Sequence, residues 1–309
     1  MATCSGIRLP HGSIERLTGI VARRYADPGV VSSDLACEAG AAALADAGIE
    51  PEDVEVLIFA SASHDVAEPA TANIVQAKLG ARSAHVLDVK NACNSFLNGL
   101  DIAQAMITTS RAERVLVTTG EVVSPFIDWK LESEGELRLK LAAFTLGDAG
   151  GACVVTKAGE RAELRPGRFF SDGSHWTLST ILAGGSLMGT DMSRVYFECD
   201  SVALQALAYE HIPDVIAGAC EDNAWSVDEV HLVVPHQVSR RIITRICRRT
   251  GIPVERMMIT LDRLGNTAAA SIPVALSIAA QEGRMARGDK VLLVGGAAGF
   301  SASVVPLVA

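Results

Sequence analysis

Three side chains stand where an apolar run gives way to a helical pattern. They are Cys93 in Leu-Asp-Val-Lys-Asn-Ala-Cys-Asn-Ser-Phe, His236 in Val-Val-Pro-His-Gln-Val-Ser-Arg-Arg, and Asn266 in Leu-Gly-Asn-Thr-Ala-Ala-Ala-Ser-Ile-Pro. Proteins of the α/β class assemble active sites at the carboxyl ends of their strands, so three such junctions predict one shared crevice. A cysteine in the first turn of a helix meets exposed backbone N–H groups and the positive end of the helix dipole, which favour thiolate over thiol. Neutral His236 and Asn266 each offer an N–H donor. Two donors converging on one oxygen stabilise an enolate or oxyanion formed beside a thioester, which suits acyl transfer and decarboxylation. Each residue alone has a plainer reading: a buried structural cysteine, a satisfied core histidine, an asparagine that caps a helix. The combination separates Cys93 from Cys37, Cys153, Cys199 and Cys247, which lie in apolar surroundings, and His236 at a strand end from His231 inside one.

The elements that must carry these residues follow from periodicity. Helices are expected over Asp34 to Ala47 (capped by Ser33, stopped by Gly48), Ala70 to Leu79, Asn94 to Thr109, Ser201 to Cys220, Val238 to Thr250 and Thr267 to Gln281. Strands are expected over Val54 to Ala60, His85 to Val89, Val115 to Thr119, Val230 to Val234 and Lys290 to Val294. Continuous apolar strands alternating with helices imply sheets covered on both faces. An internal echo adds the organisation: Val54-Glu-Val-Leu-Ile and Val230-His-Leu-Val-Val lie 176 positions apart (54 to 230), as do Val115-Leu-Val-Thr-Thr-Gly and Val291-Leu-Leu-Val-Gly-Gly (115 to 291). Two strand pairs at one offset indicate a duplicated α/β unit in a layered α/β/α/β/α body, divided into residues 1–160 with the nucleophile and 161–309 with the histidine and asparagine.

A chain of 309 residues that is 49% hydrophobic and only 5% aromatic suits a large, tightly packed aliphatic core. Its formal charge of −9 argues against a general nucleic-acid binder. The seven cysteines are scattered and never form a CxxC pair, so neither a disulfide framework nor a metal site is indicated, and a reducing cytoplasm is expected. Met1 to Arg8 lacks the charged start and apolar core of a signal peptide, and the uncharged run Val291 to Ala309 is broken by glycines and Pro306, so no membrane span is expected.

The stretches around Cys93, His236-Gln-Val-Ser-Arg-Arg241 and Gly265-Asn266-Thr-Ala-Ala-Ala-Ser-Ile-Pro273, together with Leu146-Gly-Asp-Ala-Gly-Gly-Ala152, resemble the motifs of β-ketoacyl-acyl carrier protein synthase III from about Ile14 to the C-terminus. The resemblance implies the thiolase fold, a homodimer, and acyl-CoA or acyl-carrier-protein thioesters as substrates with no tightly bound cofactor. By it, Cys93 takes an acyl group, and His236 with Asn266 holds a malonyl-type extender as it loses carbon dioxide. The backbone amides of Cys93 and Ala298 form the oxyanion hole. The Gly147-Asp148 turn reads as structural.

Further candidates surround this centre. Arg240, Arg241 and Arg245, with Arg248 and Arg249, lie outside an apolar stripe of Val238, Ile242, Ile243 and Ile246, a local positive face that would dock an acidic carrier protein or the phosphates of coenzyme A. Arg241 matches the arginine of the family's run after the histidine. Asn94, Phe96 and Phe300 are expected to touch substrate. The chain departs from the family in three places: Ser13 and Leu17 stand where a tryptophan and an arginine hold the coenzyme A adenine, Glu68-Pro69 replaces a Phe-Pro pair, and Asn94-Ser95 replaces small residues. Glu68 therefore faces solvent or meets a polar substrate or partner, because an unpaired buried carboxylate is costly. A substrate other than plain acetyl is expected, and residues 121–141, with Trp129, are expected to shape the entrance. The reading is a Cys-His-Asn condensing enzyme of specialised or fatty-acid metabolism; the alternatives are an acyltransferase to an amine or hydroxyl, and a non-catalytic binding subunit of the same fold.

Overall fold

The computed structural model describes residues 10–157 and 161–309, so Met1 to Arg8, Cys4 among them, lie outside the described residues. The first part of the chain runs α1 (Ser13–Thr18), α2 (Ser32–Ala47), β1 (Val56–Ala60), α3 (Thr71–Leu79), β2 (His85–Val89), α4 (Ser95–Thr108), β3 (Arg114–Glu121), α5 (Glu134–Lys140) and β4 (Ala149–Thr156). Four short strands follow: β5 (Glu163–Leu164), β6 (Arg168–Ser171), β7 (Ser179–Thr180) and β8 (Glu198–Cys199). The rest is α6 (Ser201–Asp222), β9 (Val230–Pro235), α7 (Arg240–Thr250), α8 (Leu261–Leu264), α9 (Ser271–Gln281), β10 (Lys290–Ala297) and β11 (Ser301–Val308).

One sheet has the order β2-β1-β3-β4 and a second the order β5-β11-β10-β9, with β6 also on β11. Within each, the central strands run parallel (β1 with β2 and β3, β9 with β10) and the returning strand is antiparallel (β4 on β3, β11 on β10). Alternation along the strands sorts their side chains into layers. Ile58, Val117, Leu232 and Leu293 pack with Leu100 of α4 and Ala275 of α9 between the sheets. Leu57 and Leu116 face α2 and α3, and Val233 and Leu292 face α6 and α7. This is the five-layer α/β/α/β/α thiolase-like architecture. The outer helix α2 lies so close to the sheet that a Cβ on Gly120 would sit 1.9 Å from the Ser32 carbonyl oxygen, which explains a glycine inside β3.

The offset of 176 recurs in three dimensions. It relates β3 (114 to 121) to β10 (290 to 297) and the start of α4 (95) to the start of α9 (271). It also relates two alanines in the left-handed region, Ala92 and Ala268, each at φ 46°.

Most elements lie within two or three residues of expectation, and three of the differences have a local cause. The helix expected from Asp34 begins at Ser32, because Asp34 Oδ2 accepts from the Val31 N–H (3.0 Å) and caps the turn before it. The helix expected from Val238 begins at Arg240, with the Ser239 hydroxyl accepting from Ile242 N–H (3.4 Å). The single helix expected over Thr267 to Gln281 is interrupted: a 3-10 turn at Ala268–Ala270 precedes α9, as the left-handed Ala268 requires.

Candidate active site

β1, β3, β9 and β10 deliver their carboxyl ends to one rim, and the three chemically capable residues arrive there by different routes. Cys93 sits on a sharp elbow between β2 and α4. Ala92 turns the chain through φ 46°, and the Ser95 hydroxyl fastens the turn by accepting from Asn91 N–H (2.8 Å) and donating to the Ala92 carbonyl (2.7 Å). Among the described residues no group other than its own thiol accepts from the Cys93 N–H. An unpaired amide in the first turn of a helix is available to an oxyanion.

The state of the sulfur corrects one expectation. Cys93 is half-buried as a residue, but it packs against the apolar cluster that contains Val123, Phe144 and Ala268, and desolvation of its thiol, with the nearby Glu121 carboxylate adding, pushes the thiol up to about 12. Burial outweighs the helix terminus, so the resting Cys93 side chain is a thiol.

His236 follows Pro235 at the end of β9, its N–H donating to the Val294 carbonyl of β10 (2.7 Å). Gln237 clamps the junction: its Nε2 donates to the Pro235 and Met258 carbonyls (2.7 and 3.0 Å), and its Oε1 accepts from Thr260 and Leu261 N–H. Burial lowers the His236 imidazole to about 4, so it is neutral at pH 7, as expected. Its Nδ1 is sealed without a partner, which leaves Nε2 as the nitrogen that can meet a ligand. His231, inside β9, accepts from Lys290 N–H and remains peripheral.

Asn266 is held from both sides, its N–H donating to the Thr145 carbonyl (2.9 Å) and its carbonyl accepting from Gly147 N–H (2.9 Å). Its Oδ1 accepts from Ala268 N–H (3.0 Å), so the free donor is Nδ2. Ala268 packs in the same cluster as Cys93, and Val294 adjoins Gly295, which touches Asn94 beside the nucleophile. The elbow of Cys93, the end of β9 and the Asn266 turn thus meet in one region.

Sequence reasoning missed Glu121, the last residue of β3, which is completely buried. It accepts from Ala62 N–H (2.8 Å), Ser63 N–H (3.0 Å), the Ser63 hydroxyl (2.9 Å) and Ala269 N–H (3.2 Å), and burial raises its pKa against those bonds. A carboxylate directly after an apolar strand was the available signal, the same one that marked His236. Asp148 behaves as a structural residue, accepting from Ala26, Val123 and Ser124 N–H.

The remaining candidates separate by exposure. Phe96 is fully buried between the sheets, and Asn94 is fully buried with its amide committed to Ser301. Phe300 is buried against His211 (5.6 Å between ring centroids) and borders a cleft that runs from His236 between α6 and α7. Leu204, Ala208, Ile212, Ile242 and Ile246 line this narrow apolar cleft, whose cavity volume is about 80 Å³. Ala298 lies in the turn between β10 and β11. Glu68 is exposed in this single chain. Arg240, Arg241 and Arg245 are exposed on α7, with the Arg245 guanidinium over the Tyr209 ring (4.6 Å). In the segment 121–141, Trp129 stacks on Phe144 (5.8 Å), a wall of the Cys93 cluster. Among the described residues no group of three His, Cys, Asp or Glu side chains could hold a metal ion, and no helix is long and apolar enough to cross a membrane.

Known proteins resemble this chain along most of its length. Residues 87–173 match the family 3-oxoacyl-[acyl-carrier-protein (ACP)] synthase III, residues 220–307 its C-terminal part, and residues 18–128 the thiolase N-terminal domain. The chain is 35% identical to β-ketoacyl-[acyl-carrier-protein] synthase III of Bordetella petrii, covering 93% of this chain and 84% of that protein. It is 36% identical to the protein of that name from Rhizorhabdus wittichii, covering 93% and 87%. Among solved structures it superposes on a Xanthomonas campestris OleA variant with bound lauric acid and lauroyl-CoA (TM-score 0.88, 30% identity, 97% of this chain and 89% of that one). It also superposes on the 3-oxoacyl-[acyl-carrier-protein] synthase III of Aquifex aeolicus (TM-score 0.85, 29% identity, 99% and 96%). With identity above 30% sustained over nine-tenths of its length, this chain belongs to the β-ketoacyl-[acyl-carrier-protein] synthase III family of thiolase-fold condensing enzymes.

Proposed function

We propose that this condensing enzyme loads an acyl group from a coenzyme A or acyl-carrier-protein thioester onto Cys93 and joins it to a malonyl-type thioester. The observation that carries this reading is the Cys93 amide, unpaired beyond its own thiol, on a strained elbow at the same rim as the free donors of His236 and Asn266. In the first step Cys93 Sγ attacks the thioester carbonyl, the donor C–S bond breaks, and the donor leaves as a thiol with the proton Cys93 gives up. Because the resting thiol is protonated, attack and proton loss are coupled. The malonyl carboxylate then departs as carbon dioxide, and its electron pair moves onto the thioester oxygen, held by His236 Nε2–H and Asn266 Nδ2–H. The resulting carbanion attacks the acyl–Cys93 carbonyl. The Cys93 and Ala298 amides hold that oxygen until the C–S bond breaks and a proton from water restores the thiol.

Several features of the chain support the finer assignments. The cleft beside His236 is apolar, which suits the uncharged arm or alkyl part of a thioester. Arg240, Arg241 and Arg245 present positive charge for a carrier protein or for coenzyme A phosphates. We take the enzyme to be an acyltransferase needing no metal or bound cofactor, with residues 1–160 supplying the nucleophile and 161–309 its two donors. We take it to be a homodimer, since β2 is an open edge whose backbone can pair with a second copy. The cysteines among the described residues are all free, which suits a reducing cytoplasm.

Intact-protein mass spectrometry with a panel of acyl thioesters tests the reading. A mass gain in the wild type that disappears in Cys93→Ala is expected; no gain with any donor favours a non-catalytic subunit. His236→Ala and Asn266→Ala should each slow malonyl-CoA decarboxylation by about 100- to 1000-fold while Cys93 labelling persists. A labelled enzyme that passes its acyl group only to amines or alcohols would replace condensation with simple acyl transfer.

A further inference from the structure

The residue after the nucleophile is an asparagine with a costly placement. Asn94 is fully buried, and its Oδ1 is sealed without a hydrogen-bond partner. An unsatisfied buried acceptor destabilises a fold, so a small apolar side chain would be the more stable choice here. The surroundings have nonetheless been shaped to admit it. A Cβ on Gly295 of β10 would lie 2.0 Å from Asn94 Oδ1, so only glycine at 295 leaves room for this amide.

The other end of the amide explains its retention. Asn94 Nδ2 donates to Ser301 Oγ (2.8 Å), Ser301 Oγ donates to Asn91 Oδ1 (3.5 Å), and Asn91 Nδ2 donates to Asn98 Oδ1 (2.7 Å). The hydrogen bonds run in one direction and tie the Cys93 elbow to a residue 207 positions away. Ser301 is no arbitrary anchor. It pairs with Ala297 to close the turn between β10 and β11, which contains Ala298, Gly299 and Phe300. One side-chain bond therefore joins the neighbour of the Cys93 amide to the residue that closes the turn bearing the Ala298 amide.

We infer that Asn94 and Ser301 are positioning residues that set the spacing of the two backbone donors around Cys93. This rests on the reading of those amides as the oxyanion hole. Donors of this kind act only when held within about 0.5 Å of the productive geometry, and the two segments belong to opposite ends of the chain. The inference separates the two half-reactions. Acyl transfer onto Cys93 uses the backbone donors, whereas decarboxylation uses the side chains of His236 and Asn266.

The test measures both half-reactions in Asn94→Ala, Ser301→Ala, the double variant and Ser301→Thr. Labelling of Cys93 is followed by mass spectrometry with the acyl-CoA that labels the wild type fastest, and malonyl-CoA decarboxylation is followed separately. Each alanine variant should slow labelling by about 10- to 100-fold with decarboxylation changed less than about threefold. The double variant should be no slower than the slower single one, because both remove one bond. Ser301→Thr, which keeps the hydroxyl, should restore labelling to within about threefold of the wild type. Equal loss of both half-reactions, additive losses, or unchanged labelling in Asn94→Ala would each overturn the inference. If the wild type itself neither labels at Cys93 nor decarboxylates malonyl-CoA, the parent reading fails instead.

Discussion

The turns leading into α4 and α9 share an offset of 176, a left-handed alanine at φ 46° and a place at the strand ends, yet only the first carries a cysteine. What differs is the occupant of the amide after the alanine. In the second half that amide, on Ala269, donates to the Glu121 carboxylate at the end of β3. In the first half the matching amide, on Cys93, has no acceptor beyond its own thiol among the described residues, and the residue matching Glu121 at the end of β10 is Ala297. A duplicated frame thus makes two similar anion-accepting turns. One is filled by the protein's own carboxylate, which fixes the loop after Asn266; the other has no such carboxylate and is the one we propose for the substrate's oxygen.

The comparison predicts what happens when the occupants are exchanged. Ala297→Glu should place a carboxylate against the Cys93 amide and slow Cys93 labelling by about a thousandfold, read by mass spectrometry. Labelling at the wild-type rate would show that the amide at 93 is not the working donor. Glu121→Ala leaves the Ala62, Ser63 and Ala269 amides unpaired. Denaturant unfolding should show a loss of about 3–5 kcal/mol, with malonyl decarboxylation falling more than labelling because the Asn266 turn loosens.

His236 gives a third, pH-resolved contrast. Its imidazole is held at about 4 when folded, below the ordinary 6.5, so the unfolded chain takes up the proton first as pH falls. The stabilisation is complete above pH 6.5 and is lost between pH 6.5 and 4, amounting to about 3 kcal/mol. His236→Leu should flatten the pH dependence of unfolding in that window by this amount. The smallest effect is local: Ala92→Gly and Ala268→Gly should each raise unfolding free energy by about 1 kcal/mol, since glycine adopts a positive φ without strain. Unequal gains would show that the two turns are not equivalent.

Much of this comparison was readable along the chain. The apolar run ending in Val-Val-Pro-His236 announces a strand end, because a buried strand must be continuous and a break in it must be a turn; the run before Cys93 does so although its strand is only partly covered. The 176-residue echo announced the duplication. Along the chain Glu121 is only the start of an entrance segment, since the Ala62, Ser63 and Ala269 amides that define it come from distant segments. Asn94 reads along the chain as a substrate contact, whereas its bond to Ser301 reaches across 207 positions.

The protonation of Cys93 shows where local reasoning stops. Helix position argued for a thiolate, and desolvation by residues gathered from three segments reverses it. The amino-acid sequence by itself determined which residue types stand at strand ends and how the two halves repeat, because periodicity and turn chemistry act over a few residues. Only the tertiary structure decided which amides are free, which are capped and what charge each group carries, because those depend on burial and on partners far apart in the chain.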